Sequence, residues 1–238
     1  MNDHLVLISG KSATGKSAAF RNLKDPAGVI YLNCENNKKL PFKSGFREQT
    51  ITDPKKIEGI FVEAENHPAI HTIVIDSLTF MMDMYESIHV LTSPNTMKAW
   101  GDYAQFFKVL LSQYVANSTK NVIFTGHTLS ITNEKTLDVE TRVKVKGSLM
   151  NTGIESHFST VISTKKVPIT DLEPYKSKLL NITPQEEALG FKYVFQTQLT
   201  RNTIDEAIRS PMSMWDVSET FIDNDVQLVT DRLHEYYD

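Results

Sequence analysis

The sequence predicts an α/β domain, residues 1–238, built on a mostly parallel, twisted sheet with helices on both faces. Patterns typical of buried strands alternate with helical patterns along the chain, which favours parallel strands joined by crossover helices. The first strand also leads directly into a glycine-rich phosphate-binding motif. A chain of 238 residues is long enough for one sizeable domain of this class.

The phosphate-binding motif is the segment GKSATGKS at residues 10–17, between an apolar run at 4–9 and a helical pattern at 17–23. A polyphosphate needs converging backbone N–H groups and a nearby cation, and glycines permit such a loop. Lys16 would contact the β- and γ-phosphates, and the Ser17 hydroxyl would hold Mg²⁺. The motif therefore predicts a site for ATP and Mg²⁺, formed by Gly10, Lys11, Ser12, Ala13, Thr14, Gly15, Lys16, Ser17 and Ala18.

The later elements follow from periodicity and from residues that begin helices. Runs of β-branched and aromatic residues predict strands at 28–33, 72–76, 121–125, 159–163 and 191–197. A loop is expected up to about residue 49, a polar stretch with a hairpin arm at 128–148, and a connecting excursion at 168–183. Helical spacing predicts helices that start at Asp53-Pro54, span about 96–118, and close the chain at 225–237.

Three side chains at predicted strand ends are candidates for chemistry. Asp76 ends the strand 72–76, at the edge where such sheets bind ligands, and can hold Mg²⁺. Glu35 follows the second strand and could polarise the water that attacks the γ-phosphate, and His127 could sense that phosphate. The alternatives are a helix cap for Asp76, a solvated acid for Glu35 and a surface histidine for His127.

Taken together, the glutamate after the second strand, the Ile75-Asp76-Ser77 segment and the polar residue that ends the next strand resemble RecA-like ATPases. The chain looks more narrowly like the short RecA-like ATPases of bacteriophages, which are grouped with single-strand annealing proteins. The resemblance implies a RecA-like core, ATP hydrolysis stimulated by single-stranded DNA, and a role in recombination or annealing. A single-stranded-DNA-binding protein is a further partner that it implies.

The resemblance also implies a DNA-binding loop at about 128–148. Within it Arg142, Lys144 and Lys146 alternate, so an extended segment would project all three from one face towards phosphates. A merely solvated hairpin is the alternative, since Glu134, Asp138 and Glu140 dilute the charge. Candidates for a cation donated across a subunit interface are Lys192, Arg201 and Arg209.

Subunits of this family meet around nucleotide, which implies a homo-oligomer. The first strand starts at about His4, which leaves no segment with which one subunit could grip the next as in RecA. A stable filament is therefore not expected, whereas a ring, a short array on DNA or a free monomer all remain open.

Composition restricts the partners and the compartment. Seven acids and one arginine occupy residues 216–238, so residues 1–215 carry a net charge of +2 within a chain of −4. This distribution allows a local DNA-binding patch but argues against a generally basic surface. The apolar runs are too short to cross a membrane, no signal peptide is recognisable, and Cys34 is the only cysteine. We therefore expect a cytoplasmic protein with no membrane partner, in the bacterial host if phage-encoded.

Two other function classes share the phosphate-binding motif. A nucleoside or nucleotide kinase also begins with such a loop, although an arginine-rich lid segment is missing from this sequence. A nucleotide-gated replication or loader protein would bind ATP without hydrolysing it. Phosphate release with and without single-stranded DNA separates both from the leading hypothesis.

Overall fold

The computed structural model describes residues 2–132 and 139–238. Its framework is one nine-stranded sheet in the order β3-β2-β4-β5-β1-β7-β8-β9, with β6 paired to β5. Strands β3 through β7 in that order are parallel, whereas β6, β8 and β9 pair antiparallel. The strands are β1 Leu5–Gly10, β2 Val29–Asn33, β3 Arg47–Thr50, β4 Thr72–Asp76, β5 Asn121–Thr132, β6 Val139–Val143, β7 Thr160–Pro168, β8 Phe191–Gln196 and β9 Phe221–Asp223.

Helices cover both faces, so the predicted fold class is confirmed. They are α1 Lys56–Glu65, α2 Leu78–Tyr85, α3 Thr96–Val109, α4 Ser148–Thr152, α5 Ile169–Leu172, α6 Pro184–Leu189 and α7 Val226–Tyr237. Single π-helical segments extend α2 through Val90 and α3 through Val115, so α3 and its extension account for most of the predicted helix 96–118. No helix in residues 2–132 and 139–238 is long and apolar enough to cross a bilayer.

The core has two layers because successive residues of a buried parallel strand face opposite sides of the sheet. In β1, Leu5 and Leu7 belong to the cluster beneath α1, α2 and α3. Val6 and Ile8 belong to the opposite cluster, which α7 covers with Val229. Both layers pack against β1, the strand that leads into the phosphate-binding motif, and this packing fixes the position of the loop.

The segment after the motif differs from the predicted helix. Residues Ser17–Asn22 form a short 3₁₀ helix that ends where Leu23 turns extended. Pro26 follows closely, and a residue before proline is disfavoured in the helical region. The segment therefore has room for only two tight turns before β2 begins.

Two further segments depart from expectation. The sequence predicts a loop up to about residue 49, but this stretch ends in β3. All four residues of β3, Arg47–Thr50, are exposed, and they lack a strand-like apolar pattern. Strand β5 is longer than predicted and continues into a hairpin in which Thr128 pairs with Val143 and Thr132 with Val139. The tip of this predicted hairpin, residues 133–138, lies outside the described residues. The segment predicted as an acidic C-terminal helix forms α7, with Asp225 capping its first turn.

Candidate functional site

The phosphate-binding motif forms a compact loop between β1 and the 3₁₀ helix. Thr164 of β7 donates its hydroxyl to the carbonyl of Thr14 at 2.6 Å, and this fixes the loop against the sheet. A Cβ on Gly10 would lie 2.7 Å from Thr164, so only glycine fits there. Gly15 has a φ of +98°, and a Cβ on it would approach Asn224 at 3.1 Å. Both motif glycines are therefore required by this geometry.

Lys16 lies inside this loop with only 6% of its surface exposed. Its ammonium donates to the carbonyls of Gly10 at 3.0 Å and Lys11 at 2.7 Å. Burial lowers the pKa of Lys16 to about 8, although the carboxylates of Asp76 and Glu35 oppose that shift. The ammonium is thus a desolvated cation held by neutral carbonyls, and a phosphate would be a stronger partner for it.

Asp76 ends β4 and is buried, with three hydroxyl groups donating to its carboxylate. Ser17 donates at 2.7 Å and Tyr31 at 2.6 Å to Oδ2, and Thr125 donates at 2.5 Å to Oδ1. Strand β5 lies between β1 and β4, which explains why Thr125 reaches this carboxylate. A hydroxyl and a carboxylate in contact form the all-oxygen donor set that Mg²⁺ prefers. Ser17 and Asp76 therefore fit the metal predicted for them.

Glu35 lies just after β2, and it contacts His127 at the point where β5 stops pairing with β1. Glu35 Oε1 lies 3.0 Å from His127 Nε2, and its Oε2 accepts from Lys38 at 3.1 Å. The hydrogen bond with His127 is the main reason that the pKa of Glu35 falls to about 2, so the carboxylate is ionised at any physiological pH. His127 is held in turn by its backbone N–H, which donates to Thr79, and by the edge of Phe80.

These groups line a single cavity of about 530 Å³, large enough for a nucleotide. The sequence-predicted Lys16, Ser17, Glu35, Asp76 and His127 all reach it. The cavity is also lined by side chains that no sequence motif assigned to the site, among them Arg21, Tyr31, Lys38, Lys39, Pro41, Glu186, Tyr193 and Asn224.

The comparison with family models agrees with this geometry. The model of a family described as AAA domain matches residues 3–187. The chain belongs to the AAA domain family. Membership makes it a P-loop, nucleotide-binding ATPase of the AAA type, and such sites commonly use Mg²⁺. No protein with a curated description matches the chain.

Within this AAA domain, the matched region contains the phosphate-binding motif together with Glu35, Asp76 and His127. The rest of the cavity wall lies beyond residue 187, on β8 and after β9. The ring of Tyr193 lies beside Gly15, with Lys166 over the ring at 5.4 Å from its centroid. Arg21 donates to the carbonyl of Asn224 at 2.8 Å, which fastens this wall to the 3₁₀ helix.

The three candidates for a cation acting in trans occupy different environments. Lys192 is buried in its own subunit's cavity wall, where Glu186 at 2.6 Å and Asp223 at 3.1 Å neutralise it. This geometry corrects its predicted role, because a buried, doubly paired lysine cannot extend to a neighbour. Arg209 donates to the backbone carbonyl of Glu155, away from the nucleotide cavity. Arg201 is exposed in the turn that follows β8.

The predicted DNA-contacting side chains alternate as expected, with Val143 and Val145 buried between them. They differ in charge pairing. Arg142 contacts Glu140 at 2.5 Å, and Lys146 is paired with Glu86 and lies 3.6 Å from Asp83. Lys144 is exposed and has no acidic partner within the part of the chain that the structure describes. The three cations are therefore not equally available to phosphate.

Proposed function

We propose that this AAA domain protein is a Mg²⁺-dependent ATP hydrolase of the RecA-like class that acts on single-stranded DNA in homologous recombination or strand annealing. We further propose that it is phage-encoded and works in the bacterial cytoplasm. The observation that supports this function best is the contact between Glu35 and His127, because it joins the triphosphate side of the cavity to the base of the hairpin.

The proposed hydrolysis assigns one task to each side chain of the cavity. The loop amides and Lys16 bind the β- and γ-phosphates, and Ser17 and Asp76 would hold Mg²⁺, which supplies charge neutralisation when bound. Glu35 orients the attacking water and accepts its proton. Contacts with His127 and Lys38 fix its carboxylate in the position that this task requires.

The proposed coupling to DNA runs through His127. This residue is in register with Gly10, at the last position where β5 pairs with β1. The next residue, Thr128, already pairs antiparallel with Val143 in the hairpin. In addition, Lys144 donates its backbone N–H to the carbonyl of His127 at 2.7 Å. If a bound γ-phosphate separates Glu35 from His127, the movement would therefore shift the backbone that carries Lys144.

The proposed DNA surface is centred on Lys144. Arg142 and Lys146 would contribute once a phosphate displaces Glu140 from the first and Glu86 from the second. Phosphate should displace Glu140 more readily than Glu86, because Glu140 is exposed whereas Glu86 is mostly buried.

Assembly follows from the same proposal. We propose that subunits join around nucleotide as a ring or a short array on DNA, and that a single-stranded-DNA-binding protein is a further partner. Lys192 is buried and Arg209 is bonded to the carbonyl of Glu155, so we propose the exposed Arg201 as the cation donated to a neighbour's γ-phosphate.

Phosphate release measured with and without single-stranded DNA tests the function. The wild-type protein should release phosphate from Mg-ATP faster when DNA is added. Lys16→Ala should release no phosphate, either with or without DNA. Transfer of phosphate to a nucleoside with no response to DNA would instead make the protein a kinase. Tight ATP binding without phosphate release under either condition would make it a nucleotide-gated loader.

A further inference from the structure

We infer that the chain carries a second metal site, for a first-row divalent ion of the Zn²⁺ type, formed by His4, His234 and Asp238. It lies at the sheet edge opposite the nucleotide cavity, where β1 begins and α7 ends. One potential ligand atom from each residue falls within 4.8 Å of those of the other two. Two imidazoles and one carboxylate are a donor set that Zn²⁺ binds well and Mg²⁺ does not.

The distances suit one ion between the three side chains. His4 Nε2 lies 3.5 Å from Asp238 Oδ1, close to the about 3.4 Å that separates neighbouring ligands of a tetrahedral zinc ion. His234 Nδ1 contacts Asp238 Oδ2 at 2.6 Å, a hydrogen bond that the metal would replace. The rings of His4 and His234 are close together, with centroids 4.3 Å apart.

The fold brings these ligands together. His234 lies in the last turn of α7 and Asp238 directly follows that helix, so a spacing of four residues places the two side chains next to each other. His4 is fixed by the backbone, since its carbonyl accepts from Val122 at the start of β5. Its Nδ1 is buried without a partner among the described residues, which leaves Nε2 as the ring nitrogen that meets the cluster.

Zinc sites are usually four-coordinate. The three residues leave at least one coordination position for water or for a ligand from another molecule.

The consequence of binding would be a cross-link between distant parts of the sequence. An ion at this site joins the first strand to the last helix. The other end of α7 is fastened next to the phosphate-binding motif, where Asn22 donates to Asp225 at 2.6 Å. Zn²⁺ should therefore stabilise the folded chain without entering the nucleotide cavity.

Calorimetric titration of the chelator-treated full chain with ZnCl₂, in the presence of Mg-ATP, tests the site. We expect one Zn²⁺ per wild-type chain, and an affinity at least about tenfold weaker in His234→Ala and in His4→Ala. His234 is partly exposed on α7, so its replacement should not disturb folding. His67→Ala, an exposed histidine elsewhere, and His127→Ala should bind Zn²⁺ as the wild type does.

A second measurement separates the site from adventitious surface binding. Zn²⁺ should raise the thermal unfolding midpoint of the wild type and of His67→Ala but not that of His234→Ala. The inference is overturned if the wild type binds no stoichiometric Zn²⁺ or if His4→Ala and His234→Ala both retain its affinity. It is equally overturned if binding disappears in His127→Ala, because the ion would then lie in the nucleotide cavity.

Discussion

The two halves of β5 behave in opposite ways although they form one continuous strand. Through Gly126 the strand is mostly buried, and its Thr125 is committed to a hydrogen bond with Asp76. Beyond His127 the residues of the same strand are half-buried or exposed, and the cations that flank it are partly neutralised by nearby acids. The nucleotide edge is thus organised before any ligand binds, whereas the hairpin surface must exchange partners when DNA arrives.

This difference has energetic consequences. A buried, hydrogen-bonded charge cannot be removed without leaving its partners unsatisfied, so single changes at the nucleotide edge should have large effects. An exposed cation contributes less, and its contribution depends on salt.

The largest effect is expected for Glu35→Gln. The amide keeps the shape of the side chain and can still bond to His127, but it cannot accept a proton from water. The rate of phosphate release should fall by about 10²- to 10⁴-fold while ATP affinity is retained. Glu63→Gln, an exposed position on α1, is the matched control and should behave as wild type. Normal turnover in Glu35→Gln would remove this residue from the mechanism.

Next in size is the loss of nucleotide affinity in Lys16→Ala. The substitution removes the desolvated cation that faces the phosphates, so the Kd for ATP should rise by about 100-fold. Equilibrium binding of a fluorescent ATP analogue measures this change, with Lys24→Ala, which lies outside the cavity, as the control. Equal affinities for all three proteins would contradict the assignment of the phosphate site.

A pH titration sharpens the same point. Because the pKa of Lys16 is about 8 in the free protein, its ammonium loses its proton as the pH rises through that value. A neutral amine attracts phosphate weakly, so ATP affinity should fall by about tenfold per pH unit above pH 8. Lys16→Arg stays charged and should show a flat profile over this range. Parallel profiles for the two proteins would mean that Lys16 does not titrate there.

The smallest effect is expected on the hairpin. Lys144→Ala should weaken single-stranded DNA binding several-fold and reduce the slope of log K against log[salt] by about 0.7, as for one lost phosphate contact. Arg142→Ala and Lys146→Ala should each do less, and the triple alanine variant most. Fluorescence anisotropy over a salt series measures this, with Lys24→Ala as the control. An unchanged slope in the triple variant would move the DNA site elsewhere.

Most of the nucleotide site can be predicted from the sequence. The phosphate-binding motif is local, and the positions of Glu35, Asp76 and His127 follow from the rule that parallel strands end at one edge. The structure brings these residues together as that rule requires. The hydroxyls of Tyr31 and Thr125 were missed, since they lie within strands whose pattern indicates only burial.

Other features depend on strand order, which local patterns do not encode. Tyr193 and Asn224 reach the cavity only because β8 and β9 extend the sheet next to β7. The burial of Lys192 has the same origin, since its distant partner Asp223 lies on β9, which pairs with β8. The exposed strand β3 has no apolar periodicity from which it could have been predicted.

The most direct test of the proposed coupling compares phosphate release in the wild type and in His127→Ala, each with and without single-stranded DNA. The account predicts that DNA accelerates the wild type, and that the ratio of the two rates falls to about one in His127→Ala although the hairpin still binds DNA. His67→Ala should keep the wild-type ratio. An undiminished ratio in His127→Ala would contradict the account, as would a wild-type rate that does not respond to DNA.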